Sequence, residues 1–373
     1  MSALEDAYLM RLCIAIAALL LLSACGGGIS NLSSSNPARA YSGTASVGDF
    51  LSITLDPAAK TLTYTNHSNG DAGTVPYTVI TDGTYTLDDP KGNLVSAYEV
   101  PNYGMLIEAM KVGPGHDTLA LITSVETSPI TLASFVGKQY NLMQFRTSSG
   151  GLSVGSVVID DQGNVTSSDY WPYGALGMGG APDPFTSSSF SASQLQEDPS
   201  GDFLTMTGQD SVDYIFGTPN GVFVVDTPNG AILAFTKAAS KDFNPSFAGT
   251  YKAVYYQKVN ATVNQNNQES GTPSLGHATV TIDSTGNLTV TDAQSNVLLN
   301  APLTPVADAP YLYGSAGELA DPCYGLFTFR VYHGNEPQDV FATFLNGAVL
   351  FSSFMPQSQV GPGYEYMYGV GLK

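Results

Sequence analysis

Positive charge is scarce in this sequence: 13 Lys and Arg stand against 32 Asp and Glu in 373 residues, a net charge of −19. Without a basic stripe there is no counterion release from a phosphate backbone, so no nucleic-acid partner is expected. The acidity serves colloidal stability instead. Cysteine is scarcer still, and three of them (Cys13, Cys25 and Cys323) cannot make a disulfide framework. Four histidines, His67, His116, His277 and His333, lie far apart with no i, i+4 pair. They read as turn or surface residues and not as a zinc site. Helical periodicity is also missing, since after residue 24 no uninterrupted stretch repeats its apolar residues every 3.6 positions.

One long apolar run is present, and it is at the start. Residues 12–22 read Leu-Cys-Ile-Ala-Ile-Ala-Ala-Leu-Leu-Leu-Leu. That is the length of a secretory leader and short of the ~20 residues a membrane-spanning helix needs. Glu5 and Asp6 offset the positive charge such a leader presents, which makes Met10-Arg11 a better start than Met1.

Leu22, Ser23, Ala24 and Cys25 close the run, and Gly26-Gly27-Gly28 follow. This tetrapeptide resembles the lipobox of bacterial lipoproteins. The resemblance covers the first 28 or so residues and implies a signal peptide over residues 1–24, cut between Ala24 and Cys25. It further implies a diacylglycerol anchor on the Cys25 thiol and a fatty acyl chain such as palmitate on the new amino group. Two or three chains anchor stably at ~0.8 kcal/mol per buried methylene. Gly26 in place of Asp after the cysteine implies onward transfer to the bacterial outer membrane. Cys13 would leave with the signal and Cys25 would be a thioether, so Cys323 is expected to be a buried small hydrophobe.

Residues 25–40 are rich in Gly and Ser and form a flexible tether with a reach of about 20 Å. Beyond it the chain is expected to be all-β. Its 21 Tyr and 17 Phe fall in short alternating runs cut by turns drawn from 39 Gly and 22 Pro. Self-similarity divides it into tandem repeats over residues 41–129, 135–240 and 247–373. Tyr41-Ser-Gly43, Phe135-Val-Gly137 and Phe247-Ala-Gly249 open them, and Ser52–Asp56, Ser156–Asp160 and Thr279–Asp283 repeat one strand pattern. Each unit is expected to be an antiparallel meander of about eight strands, closed into a small barrel to remove its edges. A β-propeller with two blades per unit is the alternative. The opening aromatic-x-Gly is loosely similar to the first strand of lipocalin-like barrels.

Chemical candidates are few. Asp160, Asp161 and Asn164 suggest an oxygen-ligand site, but Asp-x-x-Gly is also hairpin-turn chemistry, and a calcium loop needs more acidic ligands. No metal or cofactor is expected. Gly151-Leu-Ser153-Val-Gly155 matches the hydrolase nucleophile pattern, yet Val157-Val-Ile159 continues as strand where an elbow needs a helix. The segment from Tyr170 through Trp171 and Tyr173 to Phe185 holds the one tryptophan among Pro and Gly. It is the candidate ligand or partner loop, with the packing of Trp171 over one end of its unit as the alternative. Together these readings describe a membrane-anchored lipoprotein that binds or structures the envelope without catalysis. Its partners are membrane lipid through Cys25 and a protein, glycan or small apolar ligand. A cell-envelope hydrolase with a dispersed site is the alternative.

Overall fold

In the computed structural model, alternating runs among the described residues become 25 strands in three consecutive antiparallel sheets. The structure describes residues 37–373 except 47, 82, 93, 102, 111–118, 147–150, 172–193, 208–211, 219–220, 228–229, 239, 264–268, 313–318, 320–322, 334–335, 346 and 358–362. Residues 22–25 of the lipobox lie outside this set, as do Tyr173 and Phe185.

The first sheet is a closed barrel of β1 (Arg39–Ala45), β2 (Phe50–Asp56), β3 (Thr61–Asn66), β4 (Ala72–Thr81), β5 (Thr84–Leu87), β6 (Leu94–Val100), β7 (Gly104–Met110) and β8 (Leu119–Glu126). Arg39 and Ala40, placed in the tether by composition, therefore open a strand. A four-residue helix α1 (Leu132–Phe135) leads into the second sheet, made of β9 (Gln139–Arg146), β10 (Gly151–Ile159), β11 (Val165–Trp171), β12 (Leu195–Glu197), β13 (Leu204–Thr207), β14 (Val212–Gly217), β15 (Val222–Thr227) and β16 (Gly230–Thr236). Its fourth described strand starts at Leu195, and the strand start near Phe185 that alternation suggests lies outside the described residues. The third sheet holds β17 (Gly249–Val263), β18 (Glu269–Ile282), β19 (Asn287–Asp292), β20 (Val297–Pro302), β21 (Thr304–Pro305), β22 (Leu326–His333), β23 (Glu336–Leu345), β24 (Ala348–Gln357) and β25 (Gly363–Leu372).

One pairing recurs in all three sheets: the first strand of the unit lies beside its last, β1 against β8, β9 against β16 and β17 against β25. First-to-last pairing is what rolls a meander into a barrel, and it excludes four-stranded propeller blades. In the second sheet β11 and β12 are the two ends of the order, and in the third β20 and β21 are. Among the described residues these two units are thus barrel-like without the closed ladder of the first.

The repeated opening has a local cause. The hydroxyl of Tyr140 donates to the carbonyl of Phe135 at 2.7 Å, and that of Tyr251 to the carbonyl of Phe247 at 2.5 Å. In both units a buried tyrosine thus ties down a short helical turn just before the first strand. The Asp-x-x-Gly elements are turns: Asp160 Oδ1 accepts the backbone N–H of Gln162 and Asn164, and Asp283 Oδ1 those of Thr285 and Asn287. Their carboxylates are held below the usual range, Asp160 chiefly by the Asn164 backbone and Asp283 chiefly by the Thr285 side chain.

Each unit fills its own interior. Leu55, Leu62, Tyr64, Tyr77 and Ile107 are among the buried side chains that pack the first barrel. A further core lies between the units. It joins Phe50, Leu106 and Val125 of the first to Phe145, Phe216 and Val224 of the second and Tyr256, Phe341 and Tyr368 of the third. The rings of Phe145 and Tyr368 stack at 4.5 Å and 2° across that junction. Strands that serve both cores lose their alternation: all of Val222 to Asp226 is buried in β15. On β25, an added Cβ at Gly369 would run into the Phe351 ring, so the side chain is absent where the aromatic needs space.

Candidate functional site at the mouth of the first barrel

A carboxylate sits on the inner face of β6. Ala97 and Glu99 share that face, and Glu99 occupies the place at the end of the barrel where alternation would put an apolar residue. Its side chain is fully buried and accepts from four donors. Arg39 Nε and the Tyr41 hydroxyl donate to Oε1; Arg39 Nη2 at 2.7 Å and the Tyr85 hydroxyl at 2.5 Å donate to Oε2. Four donors saturate a carboxylate. Burial pushes the Glu99 pKa up, but the hydrogen bonds from Arg39, Tyr41 and Tyr85 outweigh it and hold the group below its ordinary value. Both phenols are driven up, first by burial and then by the carboxylate.

The neighbouring turn presses on this group. Gly83, at φ +70° between β4 and β5, accepts the Glu99 N–H at 2.7 Å, and a Cβ there would collide with the Glu99 carbonyl oxygen. Outside the cluster opens a cleft of about 680 Å³, bordered by Arg39, Lys60, Val79, Tyr85, Glu99 and Glu126. That volume falls within the ~300–1,000 Å³ of small-molecule sites. Arg39 and Glu99 were not among the sequence candidates, although a charge at the inward phase of an alternating run is a signal that was there to read.

The sequence candidates are elsewhere. Trp171 is the last residue of β11, fully buried, and its indole N–H donates to the Leu312 carbonyl of the third unit at 2.9 Å. It packs between units and offers no face to a ligand. Tyr170 precedes it in the strand. Ser153 is buried within β10, in strand and not at an elbow. Cys323 is buried, with its thiol pushed up to about 12, chiefly by desolvation. His67 stacks on Phe50 at 4.9 Å. His277 is half-buried between units, with the ring of Tyr98 at 4.1 Å and Glu108 at 3.8 Å, and burial lowers its pKa to about 4. It is therefore neutral at pH 7 and makes no ion pair with Glu108. Among the described residues no group of three or more His, Cys, Asp or Glu is placed to hold a metal ion.

A second buried acid joins two units. Thr44 of β1 donates to Asp226 of β15 at 2.6 Å. Burial raises the Asp226 pKa to about 7; the Thr44 bond opposes this, and the charges of Asp49 and Asp213 add to it. Because the folded pKa lies above the unfolded ~3.9, the native state holds an extra proton between the two values. Stability from this group is complete below pH ~4 and declines until the pH passes about 7. Asp226→Asn is expected to remove that decline, which thermal melts at pH 5 and pH 8 would measure. An unchanged pH dependence in the variant would rule it out.

The fold defines an all-β protein built of three tandem antiparallel meanders. No protein-family model and no curated protein matches the chain. Among solved structures 25 chains match. One is a tryptophan-to-alanine variant of the vaccine antigen Transferrin Binding Protein B from Haemophilus parasuis Hp5, at 9% identity and TM-score 0.24, covering 87% of this chain and 66% of that one. A double mutant of the same protein gives 10% and 0.22, covering 91% and 76%. Intact Ap-TbpB with its N and C lobes gives 10% and 0.21, covering 87% and 66%. The chain thus spans just under two thirds of the length of the first and third. At these TM-scores the likeness assigns neither a fold family nor an activity.

Proposed function

We propose that this chain is a lipid-anchored protein of the bacterial outer membrane, a binding or structural module of the envelope that is not an enzyme. The observation that carries the reading is the Leu22-Ser23-Ala24-Cys25 tetrapeptide closing an apolar leader. The architecture supports it. Among the described residues no helix is long and apolar enough to cross a membrane, so an acylated Cys25 would supply the attachment. The chemistry of the described groups supports binding over catalysis. Glu99 is saturated, the Cys323 thiol is pushed up to about 12, and Ser153 lies in mid-strand.

Cys25→Ser tests the anchor. In a bacterial host fed radiolabelled palmitate, the wild-type chain is expected in the membrane fraction and labelled, and the variant unlabelled and released. A variant that stays labelled and membrane-bound defeats the proposal.

A further inference from the structure

The Arg39 side chain is held in place yet still reaches solvent. Its Nε and Nη2 edge is spent on Glu99, and 14% of the side chain remains exposed at the cleft. Nη1 takes no part in the pair with Glu99. A guanidinium fixed by a fully buried, saturated carboxylate is preorganised to bind an oxygen pair from an incoming group, because the ordering cost is met before the ligand arrives. Arg39 and Glu99 offset each other, so the charges left at the cleft are Lys60 and Glu126.

Strand register places Glu126 relative to Arg39. Tyr41 on β1 is the cross-strand partner of Glu126 on β8, and Arg39 is two residues before Tyr41. Directly opposed residues share a face, and so do residues two apart in one strand. Arg39 and Glu126 are therefore diagonal neighbours on the inner face, about 7–8 Å apart at their Cα atoms. The cleft has an oxyanion donor on one side, a carboxylate beside it, and an apolar wall of Pro57, Pro101 and Val79, the last 49% exposed. A polyanion would meet Glu126 and a net charge of −19. A pure cation would meet Lys60.

We propose that the mouth of the first barrel binds a small zwitterion of the α-amino-acid type. Its carboxylate meets Arg39 with Lys60 at the rim, its ammonium faces Glu126, and an apolar side chain rests on Val79, Pro57 and Pro101. This rests on the binding half of the proposed function. The anchor is tested separately by Cys25→Ser, which leaves the cleft intact, so one reading can fail without the other.

The test is calorimetric titration of the full chain in non-ionic detergent at pH 7 with L-leucine, with 4-methylpentanoate, which lacks its amine, and with 3-methylbutylamine, which lacks its carboxylate. Leucine is expected to bind, and each half-ligand to bind about tenfold or more weakly. Glu126→Gln, outside the buried cluster and checked by its thermal melt, is expected to weaken leucine about tenfold and leave 4-methylpentanoate unchanged. Binding of 4-methylpentanoate as tight as leucine, an unaffected Glu126→Gln variant, or no leucine binding by ~10 mM would each overturn the proposal.

Discussion

Trp171→Ala is expected to destabilise the protein by about 3–5 kcal/mol, as large-to-small changes in a close-packed core do. The indole is fully buried in the core between units, and its ring centroid lies 6.4 Å from that of Phe341. Truncation leaves a cavity at that junction and takes the indole donor from the Leu312 carbonyl. Trp171→Phe keeps most of the volume and loses the hydrogen bond, so it should cost less, about 1–2 kcal/mol. Urea unfolding followed by circular dichroism measures both. In the wild type, emission from the single tryptophan should be blue-shifted and shielded from acrylamide. A cost below ~1 kcal/mol for the alanine variant would mean the units do not depend on this contact.

The second large effect belongs to Glu99. Glu99→Ala leaves the Arg39 guanidinium without its counter-charge and takes the acceptor from the Tyr41 and Tyr85 hydroxyls. Breaking a buried pair by removing one partner costs about 3–5 kcal/mol. Acid should do part of the same work in the wild type. Because the folded pKa of Glu99 is depressed, its contribution is present above the unfolded value of ~4.3 and fades as pH falls through the folded value. Thermal melts between pH 7 and pH 2.5 should show a smaller acid-induced loss in Glu99→Ala than in the wild type. Parallel losses would mean that this carboxylate does not contribute.

Much of the strand pattern is legible in the residues themselves. Ser52–Asp56 lies in β2, Ser156–Ile159 in β10 and Thr279–Ile282 in β18, each followed by the turn its Asp begins. Alternation and turn chemistry act within a few residues, so a linear reading captures them. The inter-unit core is harder. A run such as Val222-Phe-Val-Val225 states that both faces of β15 are covered but not by what. Trp171 reads as a loop residue because Pro and Gly follow it, and only the third unit, which places the Leu312 carbonyl against the indole, makes it a buried contact.

Taken alone, the sequence settled the β class, the number of tandem units and the turns, because these follow from a two-residue side-chain period and from local hydrogen bonding by Asp and Gly. Tertiary structure decided which strands meet at each unit's seam, which outer faces are buried, and that Arg39, Tyr41, Tyr85 and Glu99 converge at one barrel mouth. Arg39 and Glu99 are 60 residues apart in the chain and become neighbours only through barrel closure. No short-range rule carries that information, because cross-strand register is set by the packing of whole sheets.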